Sequence, residues 1–262
     1  MTAPVLSIIT VCFHARDQVL ATLNNVMTQT WSDFEYLVID GGSEDGTVEL
    51  LESFAPSFSE KGISFRCQSE PDQGIYDAMN KGVRMAVGEW LLFLNAGDLL
   101  ADPQVLARAF EKTPDAKILY GDTICIYQGK QKLYPALPLS HLSYEMAFCH
   151  QSAFVRRELL SEQPYDVSYR ICADHHFFLS MYLQKVSFAR LPFPISIYEI
   201  EGCSDRNKLL SHREQRRMQK ELGIFHITPS WLLREIRFSL KQSLKSLFGQ
   251  RLIDLVRKNR LR

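Results

Sequence analysis

Apolar positions along the chain change period in a regular order. Val5 to Phe13 ("VLSIITVCF") is almost continuously apolar and rich in β-branched residues, the pattern of a strand covered on both faces. Val19, Leu20, Leu23, Val26 and Met27 then recur at helical spacing, and Phe34 to Asp40 ("FEYLVID") reads as a second buried strand. A strand, a helix and a strand joined by short links make a βαβ unit. The alternation repeats: "GGSEDGT" leads into Val48, Leu51 and Phe54 of a helix, "ISFRCQSE" supplies a strand, Ile75 to Val87 is helical, and Glu89 to Leu94 ("EWLLFL") is the next strand. The predicted fold is α/β with a mostly parallel, doubly wound sheet, and such sheets bind ligands in the crevice beyond the carboxyl ends of their strands.

Past Leu100 the alternation loosens. "KILYGDTICIY", a turn at Gln128-Gly129 and "KQKLYPA" predict a hairpin; "HQSAFVRREL" predicts a strand entering a helix, and "DHHFFLSMYLQ" a helix. From Ser230 to Arg262 the composition shifts to leucines interleaved with Arg and Lys, a separate segment.

At 262 residues and 46% hydrophobic, the chain can bury one large core. Its 30 basic and 30 acidic residues cancel, so nothing global points to a nucleic-acid partner. Cys12, Cys67, Cys125, Cys149, Cys172 and Cys203 form no C-x-x-C pair, and most have apolar neighbours, as reduced structural thiols do. A reducing compartment is expected. The apolar run Val5–Phe13 lacks a basic leader and a cleavage site, and it is far short of the about 20 residues that span a bilayer.

Four polar interruptions carry candidate chemistry. Asp40 ends a strand in "VIDGGSEDGT", and the glycines behind it let backbone approach a ligand; the adjacent Gly41 and Gly42 do not match G-x-G-x-x-G. A carboxylate there can accept from the N–H edge of a nucleotide base, while Ser43, Glu44 and Asp45 suit a helix cap. In "LLFLNAGDLL" the chain breaks from a buried strand into Asn95-Ala96-Gly97-Asp98. One carboxylate suffices for Mg²⁺ or Mn²⁺ carried by a diphosphate, although these are also turn residues. In "EPDQGIYDAMNKG", Asp72 lies in a polar loop, and Lys81 is either a point charge for phosphate or part of a solvated face. Asp174, in "YRICADHHFF", precedes a helix and is either its cap or a base for an acceptor hydroxyl. His150, His175 and His176 suit packing or support.

In this order and at these separations the motifs resemble the inverting GT-A glycosyltransferases of family 2. The corresponding segments are "SIITVCFH", "DGGSEDGT", "NAGD" in place of a D-x-D loop, and Ala173-Asp174 before a helix. "EPDQGIYDAMNKG", "FLNAGD" and "CHQSAFVRR" look closer still to the bacterial exopolysaccharide subgroup exemplified by the colanic acid enzymes. The likeness covers about Pro4 to Ser204. It implies a GT-A domain over 1–205, with a nucleotide-sugar half over about 1–100 and an acceptor half over about 101–205. It also implies that Val11, Phe13 and Asp40 border the base of a UDP- or GDP-sugar, with Asp72, Lys81 and Asn95 also on the nucleotide. Asp98 would bind Mg²⁺ or Mn²⁺, and Asp174 would be the catalytic base. Departures from the pattern are Asn95 and Gly97 in the metal loop, Gly41 for the second acid of "DDGS", and Met79 for the usual Arg. No Q-x-x-R-W motif is present, which argues against a processive synthase.

In the segment 206–262, Leu233, Ile236, Leu240, Leu244 and Leu247 recur at steps of three and four, with Arg234, Arg237, Lys241 and Lys245 one residue on. Trp231 and Phe238 can anchor in an interface. Each cation near an anionic leaflet contributes about 1 kcal/mol, so the expectation is a peripheral enzyme on the inner face of the cytoplasmic membrane, acting on a lipid-linked glycan. An amphipathic helix docked on protein is the alternative. Two other functions compete: a catalytically silent adaptor with the same body, and a sugar nucleotidyltransferase, which wants a Gly-rich N-terminal loop that "TVCFHARD" lacks.

Overall fold

The computed structural model describes residues 3–112, 115–127, 129–199 and 207–225. The expectations about Gln128, Cys203 and the basic segment from Ser230 lie outside them. Two compact units divide the chain, Met1–Met218 and Gln219–Arg262, and the fold below is that of the first.

The continuous apolar runs form the centre of the sheet. β1 (Leu6–Cys12), β2 (Phe34–Asp40) and β4 (Trp90–Phe93) are buried at every position, while β3 (Ser64–Ser69) forms a partly exposed edge. The helices α1 (Arg16–Met27), α2 (Thr47–Glu60) and α3 (Ile75–Met85) return the chain between them, so these four strands run parallel in the order β3-β2-β1-β4. Connections leave β1 toward β2 and later come back to its other side at β4. That reversal opens a crevice at the carboxyl ends of β1 and β4. The register carries Cys12 opposite Asp40 and Asp40 opposite Ser69, which aligns the strand ends on one edge.

Polar side chains inside this layer are all paired. Thr10 on β1 donates to Leu94 O and shares a hydrogen bond with the Tyr36 hydroxyl, whose ring packs on Phe58 and Phe65. Glu35 on β2 is 1% exposed and accepts from Ser7 Oγ, Val87 N and Arg66. A buried carboxylate is tolerated in a strand only with such partners.

The second half is mixed. After β5 (Leu99–Leu100) and α4 (Val105–Ala109), the predicted hairpin forms as β6 (Ile118–Tyr127) and β7 (Lys130–Tyr134). β8 (Ala153–Arg156) runs into α5 (Arg157–Glu162), as its sequence suggested, and lies antiparallel between β4 and β6. α6 (Ala173–Leu183) follows, then β9 (Phe188–Glu199), a strand not foreseen, which pairs with β6 and β5. α7 spans Lys208–Glu221. Among the described residues all nine strands join one sheet, and the whole is α/β with flanking helices. The five described cysteines form no disulfide with one another, and burial raises the thiol pKa of Cys12 and Cys172 in particular. No helix among the described residues is long and apolar enough to cross a membrane.

Gly88 shows how tightly β4 is entered. A Cβ there would stand 2.6 Å from Leu6 C and Ser7 N, both backbone atoms that cannot swing away. Gly88→Ala is expected to cost about 3 kcal/mol by overpacking, read as a fall in Tm of roughly 6–12 °C in thermal unfolding.

Candidate active site

A cleft of about 1160 Å³ opens at the switch point, lined by Asn95, Asp98, His150, Gln151 and Asp174 and also by Tyr134, Leu137 and Val167. Asp98 and Asp174, far apart in sequence, therefore converge on it.

The Asn95–Asp98 loop is fastened from α1. Thr22 Oγ1 donates to Asp98 O and accepts from Gly97 N, and Asn25 meets both backbone groups of Leu100 through its side-chain amide. Gly97 has φ +94°, a conformation that favours glycine and closes the turn. Within the turn Asp98 Oδ2 accepts from Asn95 N and from Gln151 Nε2, each at 3.1 Å. The side chain is only 6% exposed. Burial raises its carboxyl to about 6, against the opposing influence of His150, Gln151 and the Asn95 N–H.

Asp174 stands in the first turn of α6. Its Oδ2 lies 3.2 Å from His150 Nδ1, and its Oδ1 accepts from His175 N at 2.8 Å. The Tyr76 hydroxyl shares its one hydrogen between Asp174 Oδ1 at 2.9 Å and Ile171 O at 2.6 Å. Burial works to raise this carboxyl, but His150, the His175 N–H and Tyr76 outweigh it and hold it below the usual range. The segment just before it is gripped by Glu214 of α7, whose carboxylate accepts from the backbone N–H groups of Arg170, Ile171 and Cys172.

His150 and Gln151 reach the cleft because β8 is antiparallel to β4. The 3₁₀ turn His150–Ser152 at the start of β8 thus sits beside the carboxyl end of β4, where Asn95 and Asp98 emerge. Tyr76, Gln151 and Glu214 were not singled out from the sequence. Gln151, one residue from His150 ahead of a strand, was the one with a signal. His175 is buried with Nε2 on Leu142 O, and His176 stacks on Tyr169. Both serve packing.

Two residues expected to contact the nucleotide are engaged with partners inside the protein. Asp40 is fully buried, and both its oxygens are occupied by Ser43 N, Ser43 Oγ, Ser69 Oγ, Gly42 N and Cys12 Sγ. Burial would raise its carboxyl, yet the serine donors hold it low. These bonds hold the loop at Gly42 and Ser43. Lys81 is bound to Glu70 at 2.9 Å and Pro71 O at 2.8 Å, with Asp77 at 3.8 Å, so it braces the loop away from the lining of the cleft. Another acid takes the corner instead. Asp72 Oδ2 lies 2.7 Å, and the Phe13 ring 3.1 Å, from where a Cβ on Gly41 would be. Asp72 Oδ1 accepts from Gly74 N, and Phe13 is 59% exposed. Val11, penultimate in β1, is buried and accepts from Ala96 N.

Whether a dication suits the site can be judged from its donors. Among the described residues no three His, Cys, Asp or Glu side chains gather as a metal cage. Asp98 is nevertheless a buried carboxylate short of positive charge, with its hydrogen bonds confined to Oδ2. That fits a hard cation held mostly by phosphate oxygens and water with one protein carboxylate.

Comparisons with known proteins agree with this geometry. A family model described as "Glycosyl transferase family 2" matches residues 7–186. A "PGL/p-HBAD biosynthesis glycosyltransferase" of Mycobacterium bovis is 40% identical over 182 residues, covering 68% of this chain and 69% of the relative. An uncharacterized glycosyltransferase of Mycobacterium tuberculosis is 34% identical over 222 residues, covering 81% and 79%. Among solved structures, Staphylococcus aureus TarS 1-349 in complex with UDP-GlcNAc superposes with a TM-score of 0.69 at 16% identity, over 94% of this chain and 76% of that one. The mannosyltransferase PcManGT from Pyrobaculum calidifontis, in complex with GDP-Man and Mn²⁺, gives 0.64 at 17%, over 87% and 67%. These likenesses identify the fold as GT-A.

Asp98 also makes a stability prediction. Its folded-state pKa lies above the ordinary carboxylate value, so the folded protein holds this proton more tightly than the unfolded chain. Stability should therefore fall as pH rises from about 4 to about 6 and stay lower above that. Without added metal, Asp98→Asn is expected to unfold at least about 3 °C higher than wild type at pH 8, with the difference gone at pH 4; equal melting at both pH values contradicts it.

Proposed function

The chain belongs to glycosyl transferase family 2, and we propose that it moves a sugar from a UDP- or GDP-sugar to a hydroxyl of a lipid-linked glycan, with inversion at the anomeric carbon. The observation that carries this reading is the meeting of Asp98 and Asp174 in one cleft with opposite pKa shifts. An acid held ionised suits proton abstraction, and a buried acid short of positive charge suits a cation.

Phe13 and Val11 border the base, and Asp72 accepts from its N–H edge in the role first expected of Asp40. Asp40 supports them by holding the loop at Gly41–Ser43. Asn95 offers its buried, unpartnered Oδ1 to the hydroxyl groups of the donor. Asp98 would hold Mg²⁺ or Mn²⁺, which when bound screens the charge on the departing diphosphate. Asp174 takes the acceptor proton while the acceptor oxygen attacks the anomeric carbon from the face opposite that diphosphate, a contribution of roughly 10²–10⁴-fold.

The lining of the cleft supports an acceptor with an apolar portion, because it includes Tyr134, Leu137 and Val167, which remain 41%, 38% and 49% exposed. The motifs shared with the colanic-acid subgroup favour bacterial exopolysaccharide or cell-surface polysaccharide synthesis. The stripe of leucines and cations from Leu233 onward favours attachment to an anionic membrane surface.

Release of nucleoside diphosphate from candidate donors, with lipid-linked acceptors, tests the reading. Asp174→Asn should lower turnover by roughly 10²–10⁴-fold and leave nucleotide affinity unchanged, whereas Asp72→Ala should weaken nucleotide binding about tenfold. A wild type that turns over no donor–acceptor pair yet binds membranes is the silent adaptor instead. In vesicle co-sedimentation the full chain should bind anionic phospholipid and be released by high salt; equal binding to neutral vesicles removes the electrostatic anchor.

A further inference from the structure

His150 stands between two groups with opposite demands. Its Nδ1 is 3.2 Å from Asp174 Oδ2, and its Nε2 is 3.2 Å from Asn95 Nδ2. A carboxylate only accepts, so Nδ1 must carry hydrogen; an amide nitrogen only donates, so Nε2 must be bare. One species meets both demands, the neutral ring protonated on Nδ1. Turning the amide over would set Oδ1 against Nε2 and require a second proton on the ring. In the arrangement present, Asn95 Oδ1 is left buried without a protein partner. That atom is where a bound donor can fix the amide.

We infer that Asn95 and His150 form a positioning relay for Asp174: the Asn95 amide keeps Nε2 of His150 bare, the Asp174 carboxylate takes the hydrogen on Nδ1, and that Nδ1–H aims the Asp174 carboxylate at the acceptor hydroxyl. The inference rests on Asp174 being the base. It gives a reason for an amide at 95, where the resemblance leads one to expect an acid: Asp would present only acceptor oxygens to Nε2 and draw the ring hydrogen to the wrong side. It also separates the work of adjacent residues, since His150 serves Asp174 while Gln151 serves Asp98. The link runs from the donor loop to the base, so donor occupancy would be felt at Asp174 before the acceptor arrives.

Long-range ¹H–¹⁵N spectra of the histidine-labelled full-length protein, at about pH 8.5 where free imidazole is neutral, read the tautomer directly. His150 is expected as the Nδ1–H form, with that preference weakened in Asn95→Leu, where the Asp174 carboxylate alone still selects it. An Nε2–H ring in the wild type overturns the relay, whether or not any transfer activity has been found. In kinetics, His150→Ala should lower kcat roughly 10- to 100-fold with nucleotide affinity within about twofold. His150→Asn, whose amide N–H falls near the place of Nδ1, should recover most of that loss, and His150→Gln should not. Unchanged kcat in His150→Ala, or equal loss in all three variants, sinks the positioning role. If neither the wild type nor any variant turns over while the Nδ1–H tautomer is present, the glycosyl-transfer reading fails and takes the aiming of a base with it; an active wild type with an Nε2–H ring overturns the relay alone.

Discussion

A carboxylate taken out of water must be supplied with hydrogen-bond donors or with a cation, and the buried acids here differ chiefly in that supply. Asp40 receives two backbone N–H groups, two hydroxyls and a thiol, and stays ionised with nothing left to offer a ligand. Glu35 and Glu214 are likewise saturated and hold backbone in place. Asp174 has enough partners to stay ionised. Asp98, with two donors on one oxygen, is left short. Local donor count thus distinguishes acids that build the scaffold from acids that face chemistry.

Supply at the cleft depends on chain direction. Parallel β1, β2 and β4 deliver their carboxyl ends to one edge, which accounts for the loops at Phe13, Gly41 and Asn95. The antiparallel β8 then brings its amino end to the same edge, and with it His150 and Gln151. An all-parallel continuation would have put that end on the far side of the sheet. The mixed half of the sheet is therefore what links the Asn95 loop to Asp174 through His150, and α7 adds the grip of Glu214 on the residues leading into Asp174.

At the corner around Gly41 the lack of a side chain leaves room for the carboxylate of Asp72, which reaches the place a Cβ would fill. The nearby exposed Phe13 ring completes the corner.

The order of strands and helices through Phe93, the crevice at the strand ends and the candidacy of Asp98 and Asp174 were all legible in the sequence. Continuous apolar runs, period-3.6 burial, strand-end polar breaks and motif order are local properties that one-dimensional spacing records. β9, the inward turn of Asp40 and the loop-bracing role of Lys81 were not legible, because each depends on which neighbour occupies the space beside it. A carboxylate at a strand end looks the same in sequence whether five donors or two surround it. Only the packed chain, by setting Ser43 and Ser69 on Asp40 and His150 between Asn95 and Asp174, decides which acids are spent on structure and which remain for a substrate.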